Sequence, residues 1–129
     1  MRPLIPLALA TLLVTGASSA ATPATPDKGE AHLQHFLKGR TPGKPIDCIQ
    51  PDLSAQPVIY DGAGIVYFTA GKTYVARMAG ECPALRENRT IFVRGAGGRL
   101  CRNDPVRIRE SSGADFGFCT IAGFTPYSK

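Results

Sequence analysis

Cys101 stands in the segment GGRLCRNDPVRIRE, residues 97–110, with Arg99, Arg102, Arg107 and Arg109 around it. Three chemistries are open to such a cysteine. Neighbouring guanidinium groups lower a thiol pKa, which would favour a nucleophilic thiolate. The same thiolate could ligate a metal. In an oxidising compartment it is half of a disulfide. The other cysteines are Cys48, Cys82 and Cys119, and the four are separated by 34, 19 and 18 positions. No CxxC pair occurs, so the spacing of a structural zinc site is missing. A nucleophilic Cys101 would have to stay unpaired and leave an odd partner. The reading adopted is two disulfides and no metal site.

Other chemistry is thin. His32 and His35 are the only histidines. Their i, i+3 spacing would bring two imidazoles together on a helix, but no carboxylate or cysteine stands at matching spacing to complete a metal site. Asp115-Phe116-Gly117 repeats the magnesium-binding triplet of kinases without the glycine-rich loop, strand lysine or catalytic loop that a kinase requires. The glycines of GAGG at 95–98 run into a strand pattern and not into a lysine and helix, so they read as a turn and not as a phosphate loop. Asn88-Arg89-Thr90 matches a glycosylation acceptor, which has meaning only in a eukaryote. Asp61, Asp104, Glu110 and Asp115 could supply paired carboxylates, yet no spacing singles out two of them. The expectation is therefore no catalytic residues and no cofactor.

Compartment follows from the start of the chain. MRPLIPLALATLLVTGASSAA has one basic residue, Arg2, an apolar run of about a dozen residues and then small side chains, the three-part layout of a secretory signal. The run is short of the roughly 20 residues that a membrane-spanning helix needs. Residues 1–20 are expected to be a signal peptide, 21–30 a disordered Pro/Thr-rich leader, and 31–129 a single disulfide-stapled β domain. The location expected is periplasmic or secreted, in a bacterium. The net charge of +5 over 129 residues is modest. It suits an anionic envelope component or another exported protein as partner, with no transmembrane anchor. A nucleic-acid partner could be met by Arg94, Arg99, Arg102, Arg107 and Arg109 with Phe92 or Tyr67 stacking, but export argues against it.

The elements that must position these residues are mostly strands. Leu33, Phe36 and Leu37 form one apolar face of a short helix, with Gly39 as its stop. From Pro45 onward the pattern has short runs separated by turn residues: PIDCIQ, PVIYD, GIVYFT, KTYVARM, TIFVRG, RLC, PVRIRE and FGFCTIAGF. A hairpin is expected at Ala96-Gly97-Gly98, and one helical turn around Ala84 to Glu87. The fold class is mainly β, a small antiparallel barrel or sandwich of about eight short strands with one short N-terminal helix. In VRIRE the aliphatics Val106 and Ile108 take one face, and Arg107 and Arg109 take the other. A core of this size rarely contributes more than about 3–5 kcal/mol, so covalent staples are expected on energetic grounds as well.

Four cysteines allow three connectivities, and spacing does not choose among them. Strand parity places Cys48 with Ile46 and Cys119 with Ile121, both able to face the core. Cys101 lies opposite Leu100, so a buried Leu100 turns Cys101 outward, where the loop cysteine Cys82 can reach it. The pairing expected is Cys48–Cys119 and Cys82–Cys101.

The blocks DCI, IVYF, YVAR, ECPAL, GGRLCRND and CTIAGFTPY, in that order, resemble a domain-of-unknown-function family of small exported proteobacterial proteins with four cysteines. The resemblance covers roughly residues 36–127. It implies a periplasmic or secreted bacterial protein and brings no catalytic residues to carry over. Ala76 stands where the family often has asparagine. The function expected is a non-catalytic binding or envelope-associated module. Its surface would be an arginine-bearing face with Arg99, Arg102, Arg107 and Arg109 together with the loop 80–89, acting by charge-assisted hydrogen bonds to carboxylate or phosphate. The alternative is a small periplasmic enzyme or a protein inhibitor with its site on that same face.

Overall fold

The computed structural model describes residues 28–52 and 54–129, with isolated positions 3, 10–12 and 16 before them. The expected signal peptide and the leader up to residue 27 fall outside the described residues, those isolated positions apart.

Helix α1 spans Lys28–Leu37. It starts three residues before the domain boundary expected at residue 31, because its first turn is tied down by tertiary contacts. Glu30 makes a two-pronged ion pair with Arg77, at 2.6 and 3.0 Å, and Gly29 is buried against the backbone of Asp61. Both residues therefore belong to the folded domain and not to a leader. The helix ends as its sequence predicts: Gly39 takes a left-handed φ of 78°, and the Arg40 amide donates to the Leu37 carbonyl at 3.0 Å, a glycine C-cap.

The strands are β1 (Thr41–Pro42), β2 (Cys48–Ile49), β3 (Val58–Tyr60), β4 (Gly64–Thr69), β5 (Lys72–Met78), β6 (Thr90–Val93), β7 (Leu100–Cys101), β8 (Pro105–Arg109) and β9 (Asp115–Ser128). Among the described residues the pairing is antiparallel throughout. The main sheet runs β3-β4-β5-β9-β8-β6, with β1 also on β9, and β2 pairs β7 in a separate ribbon. The sheet curls into a half-barrel. Its two end strands, β3 and β6, do not pair with each other. The 14-residue β9 joins the halves. Its first part pairs β8 and its second part pairs β5.

Curling puts the main core on the concave side. Ile59, Ile65, Ala76, Val106, Ile108, Ile121 and Phe124 meet there with Leu85 and Leu100. Ala76 is fully buried in this core. A second cluster lies on the convex side, where Leu33 and Leu37 of α1 cover Val66 and Val75. Strands β4 and β5 are thus covered on both faces, which is why GIVYFT is apolar without alternation. Strand β8 is covered on one face only and alternates, with Val106 and Ile108 buried and Arg107 and Arg109 exposed.

The disulfides are Cys48–Cys101 and Cys82–Cys119, with Cα atoms 4.0 and 6.1 Å apart. All four cysteines are used, but the expected connectivity is wrong. Leu100 is buried and Cys101 is turned outward, as parity predicts. The error lies with Cys48: its neighbour Ile49, not Ile46, supplies the core contact. Cys48 therefore faces outward too and meets Cys101 directly across the β2–β7 ribbon. That leaves the buried Cys82 to reach Cys119 on β9. With sequence separations of 53 and 37, each link stabilises the domain by about 4 kcal/mol in the loop-entropy model. Paired cysteines of this kind belong to an oxidising, non-cytoplasmic compartment. Among the described residues no helix is long and apolar enough to cross a membrane.

Two smaller expectations change. Strands β6 and β7 are not a hairpin: β6 pairs β8 and β7 pairs β2, with a 3₁₀ turn at Ala96–Gly98 between them. No helical turn forms at 84–87. The segment closes instead through single turns, Leu85 to Cys82 and Arg89 to Arg86. It is held to the β3–β4 turn by the Glu87 amide, which donates to Asp61 at 2.7 Å.

Candidate functional site

The convex side of the β6–β8–β9 arm is a sheet face that α1 does not reach. Antiparallel register builds it residue by residue. Phe92 on β6 lies opposite Arg107 on β8, and Arg107 lies opposite Phe118 on β9. Each shares its face with residues two positions away: Arg94 beyond Phe92, and Arg109 beyond Arg107. Phe92 is 51% exposed and Phe118 61%. Side chains of that size are seldom left in water without a reason when they stand together. Arg94, Arg107, Arg109, Phe92 and Pro105 line a surface groove of about 580 Å³.

Two arginines are held over rings on this arm. The Arg109 guanidinium carbon is 5.4 Å from the centre of the Phe92 ring, and that of Arg89 is 3.7 Å from the centre of Phe116. Stacking leaves the edge of the Arg109 guanidinium, with its N–H donors, available to an anion, whereas Arg89 already donates to the Ala84 carbonyl at 2.7 Å. Arg107 approaches Asp115 at 3.6 Å, an exposed pair that contributes little to stability and is easily exchanged for another carboxylate. The face can therefore hold carboxylate or phosphate by forked hydrogen bonds while its phenylalanines take apolar surface.

Of the four arginines expected on one face, the structure brings together two. Arg107 and Arg109 line the groove; Arg99 and Arg102 do not. Arg99 precedes β7, and Arg102 lies in the turn after it, where its amide donates to the Asp47 carbonyl and the Cys101 amide to the Asp104 carboxylate. That turn closes the β2–β7 ribbon, so closeness along the chain does not become closeness in space. The loop 80–89 is mostly engaged elsewhere, through Cys82, Leu85 and the Asp61 contacts, and only its last residue, Arg89, reaches the aromatic face. The residues that sequence reasoning did not place on this face are Phe116, Phe118 and Asp115. A signal for Phe118 was present, since placing Cys119 and Ile121 on the core side puts Phe118 outside.

Tyr67, offered above as an exposed stacking ring, lies on the concave side and is 5% exposed. It borders a second pocket of about 560 Å³, whose lining includes Pro51, Asp52, Ile91, Val93, Arg94 and Leu100. Burial pushes the Tyr67 hydroxyl pKa up to about 12, so it is a neutral donor at any physiological pH. It has no hydrogen-bond partner among the described residues. The two pockets lie on opposite faces of the same strand, β6, and share Arg94.

His32 and His35 are exposed on α1, and among the described residues no group of three potential metal ligands forms. Comparison with family models, with curated proteins and with solved structures gives no match in any of the three.

Proposed function

We propose that this chain is an exported, non-catalytic binding module of the bacterial envelope or its surroundings, kin to the small exported proteins whose cysteine-centred blocks it resembles. It engages an anionic partner through the convex face of β6, β8 and β9. The observation that carries this reading is the contiguity of Phe92, Phe118, Arg94, Arg107 and Arg109 on a face that no other element among the described residues covers. Each arginine would supply charge-assisted hydrogen bonds, and the rings would exclude water around them. Periplasmic or secreted location fits the disulfides and the signal-like leader.

The test is binding to defined anions: poly-L-glutamate for carboxylate, phosphatidylglycerol vesicles for phosphate, and phosphatidylcholine vesicles as the uncharged reference. Salt-dependent binding to at least one anion, weakened about tenfold or more by Arg107→Ala with Arg109→Ala, is the expected outcome. Equal binding by the double variant, or no binding to either anion at low salt, would sink the reading.

A further inference from the structure

Strand β6 is an end strand of the sheet. It bonds to β8 along one side. Among the described residues, no backbone hydrogen bond reaches its other side. An edge of this kind is a template for another strand, and most proteins cover or blunt it. Here it is flanked by two concavities, one on each face: the outer groove with Phe92, Arg107 and Arg109, and the inner apolar pocket with Ile91, Val93 and the unpartnered Tyr67 hydroxyl. Arg94 borders both.

Resting on the proposed anion-binding face, we propose that β6 recognises its partner by strand addition: an extended acidic peptide segment of another exported protein pairs with the free edge. Successive side chains of a strand point to opposite faces. One set of alternate side chains on the added strand would then fall beside the arginine-aromatic groove, and the other set on the apolar pocket. The pattern selected is acidic alternating with aliphatic. Main-chain hydrogen bonds supply affinity, and the two concavities supply specificity. Charge chooses the occupant. A second copy of this chain added through its own β6 would gather the Arg94, Arg107 and Arg109 of both copies on one continuous face, and like charges concentrated there repel. An acidic segment meets the same arginines favourably.

The probe is a fluorescein-labelled synthetic peptide, acetyl-TEVEVET-amide, titrated against the full disulfide-bonded chain by fluorescence anisotropy. Two further versions carry N-methyl groups on the backbone, one at the glutamate positions and one at the valine positions. Binding of the parent peptide, with one N-methylated version weakened about tenfold or more and the other little changed, is the expected result. Hydrogen exchange at the amides of residues 90–94 should slow on binding. If poly-L-glutamate binds and both N-methylated peptides bind like the parent, strand addition is wrong while the anion-binding face stands. If poly-L-glutamate binds and the parent peptide does not, strand addition is again wrong. If neither peptide nor any anion binds, both readings fail, and the arginines serve to guard an edge against self-association.

Discussion

The convex surface of the half-barrel has two parts built from the same kind of strand and finished in opposite ways. Over β3, β4 and β5 lies α1, whose Leu33 and Leu37 are buried against Val66 and Val75. Over β6, β8 and the first part of β9 no element among the described residues lies, and the side chains there are phenylalanine and arginine instead of valine. A ten-residue helix is too short to persist in water without support, so α1 exists because that part of the sheet is apolar. The bare part carries aromatic surface of comparable bulk, but each ring is interleaved with a guanidinium. Such a face remains soluble and stays available. The covered face is structural, and the interleaved bare face is the one proposed as a contact surface; that difference is the basis of the proposal.

The comparison breaks first under large-to-small substitution. Leu33→Ala should destabilise by about 2–5 kcal/mol in urea unfolding, because it leaves a cavity under a fully buried side chain. A loss below about 1 kcal/mol would show that α1 does not depend on the sheet. Next in size is Gly29→Ala. A Cβ at residue 29 would fall on the Asp61 carbonyl, so the first turn must lift from the β3–β4 turn, at a cost of about 1–3 kcal/mol. Equal thermal stability of this variant and the parent would mean that the helix start is not packed as described.

Acid should act on the covered side. The Arg77 guanidinium holds the Glu30 carboxyl below its ordinary range. A carboxyl with a depressed folded-state pKa contributes stability that is present above its unfolded pKa and is lost as pH falls through the folded value. The pair is partly exposed, at 39% and 31%, so its worth is under about 1 kcal/mol. Stability measured from pH 7 down to about pH 3 should fall more steeply for the parent than for Glu30→Gln, and superimposed curves would exclude the role. The smallest effect belongs to the bare face. Phe92→Ala and Phe118→Ala should each stay within about 0.5 kcal/mol of the parent. A loss above about 2 kcal/mol would make those rings part of the core and remove the contrast.

Much of this was legible in the chain. The eight expected runs all contain strands, since turn residues and short β-branched or aromatic stretches act locally. Alternation in VRIRE places two arginines in water, and its absence in GIVYFT reflects cover on both sides. The stop at Gly39 needs only a left-handed residue. The two-residue β1 carries no such signal: Thr41 and Pro42 are strand only because β9 lies beside them. Two errors share one cause. The β6–β7 hairpin and the clustering of Arg99 and Arg102 with Arg107 took neighbours in sequence for neighbours in space, whereas the Cys48 pairing took the wrong face of a two-residue strand for the buried one.

Local pattern could say that four sulfurs pair, that strands dominate and that one side of β8 is wet, because backbone geometry, turn chemistry and burial act over a few residues. It could not say which side of a two-residue strand such as Cys48–Ile49 is buried, because one step of register exchanges the faces and only packing against β7 makes the choice. The same holds for the candidate surface. Phe92, Arg107 and Phe118 become one face through the register of three strands distant in the chain, and the face stays bare because the only helix among the described residues docks on the other half of the sheet.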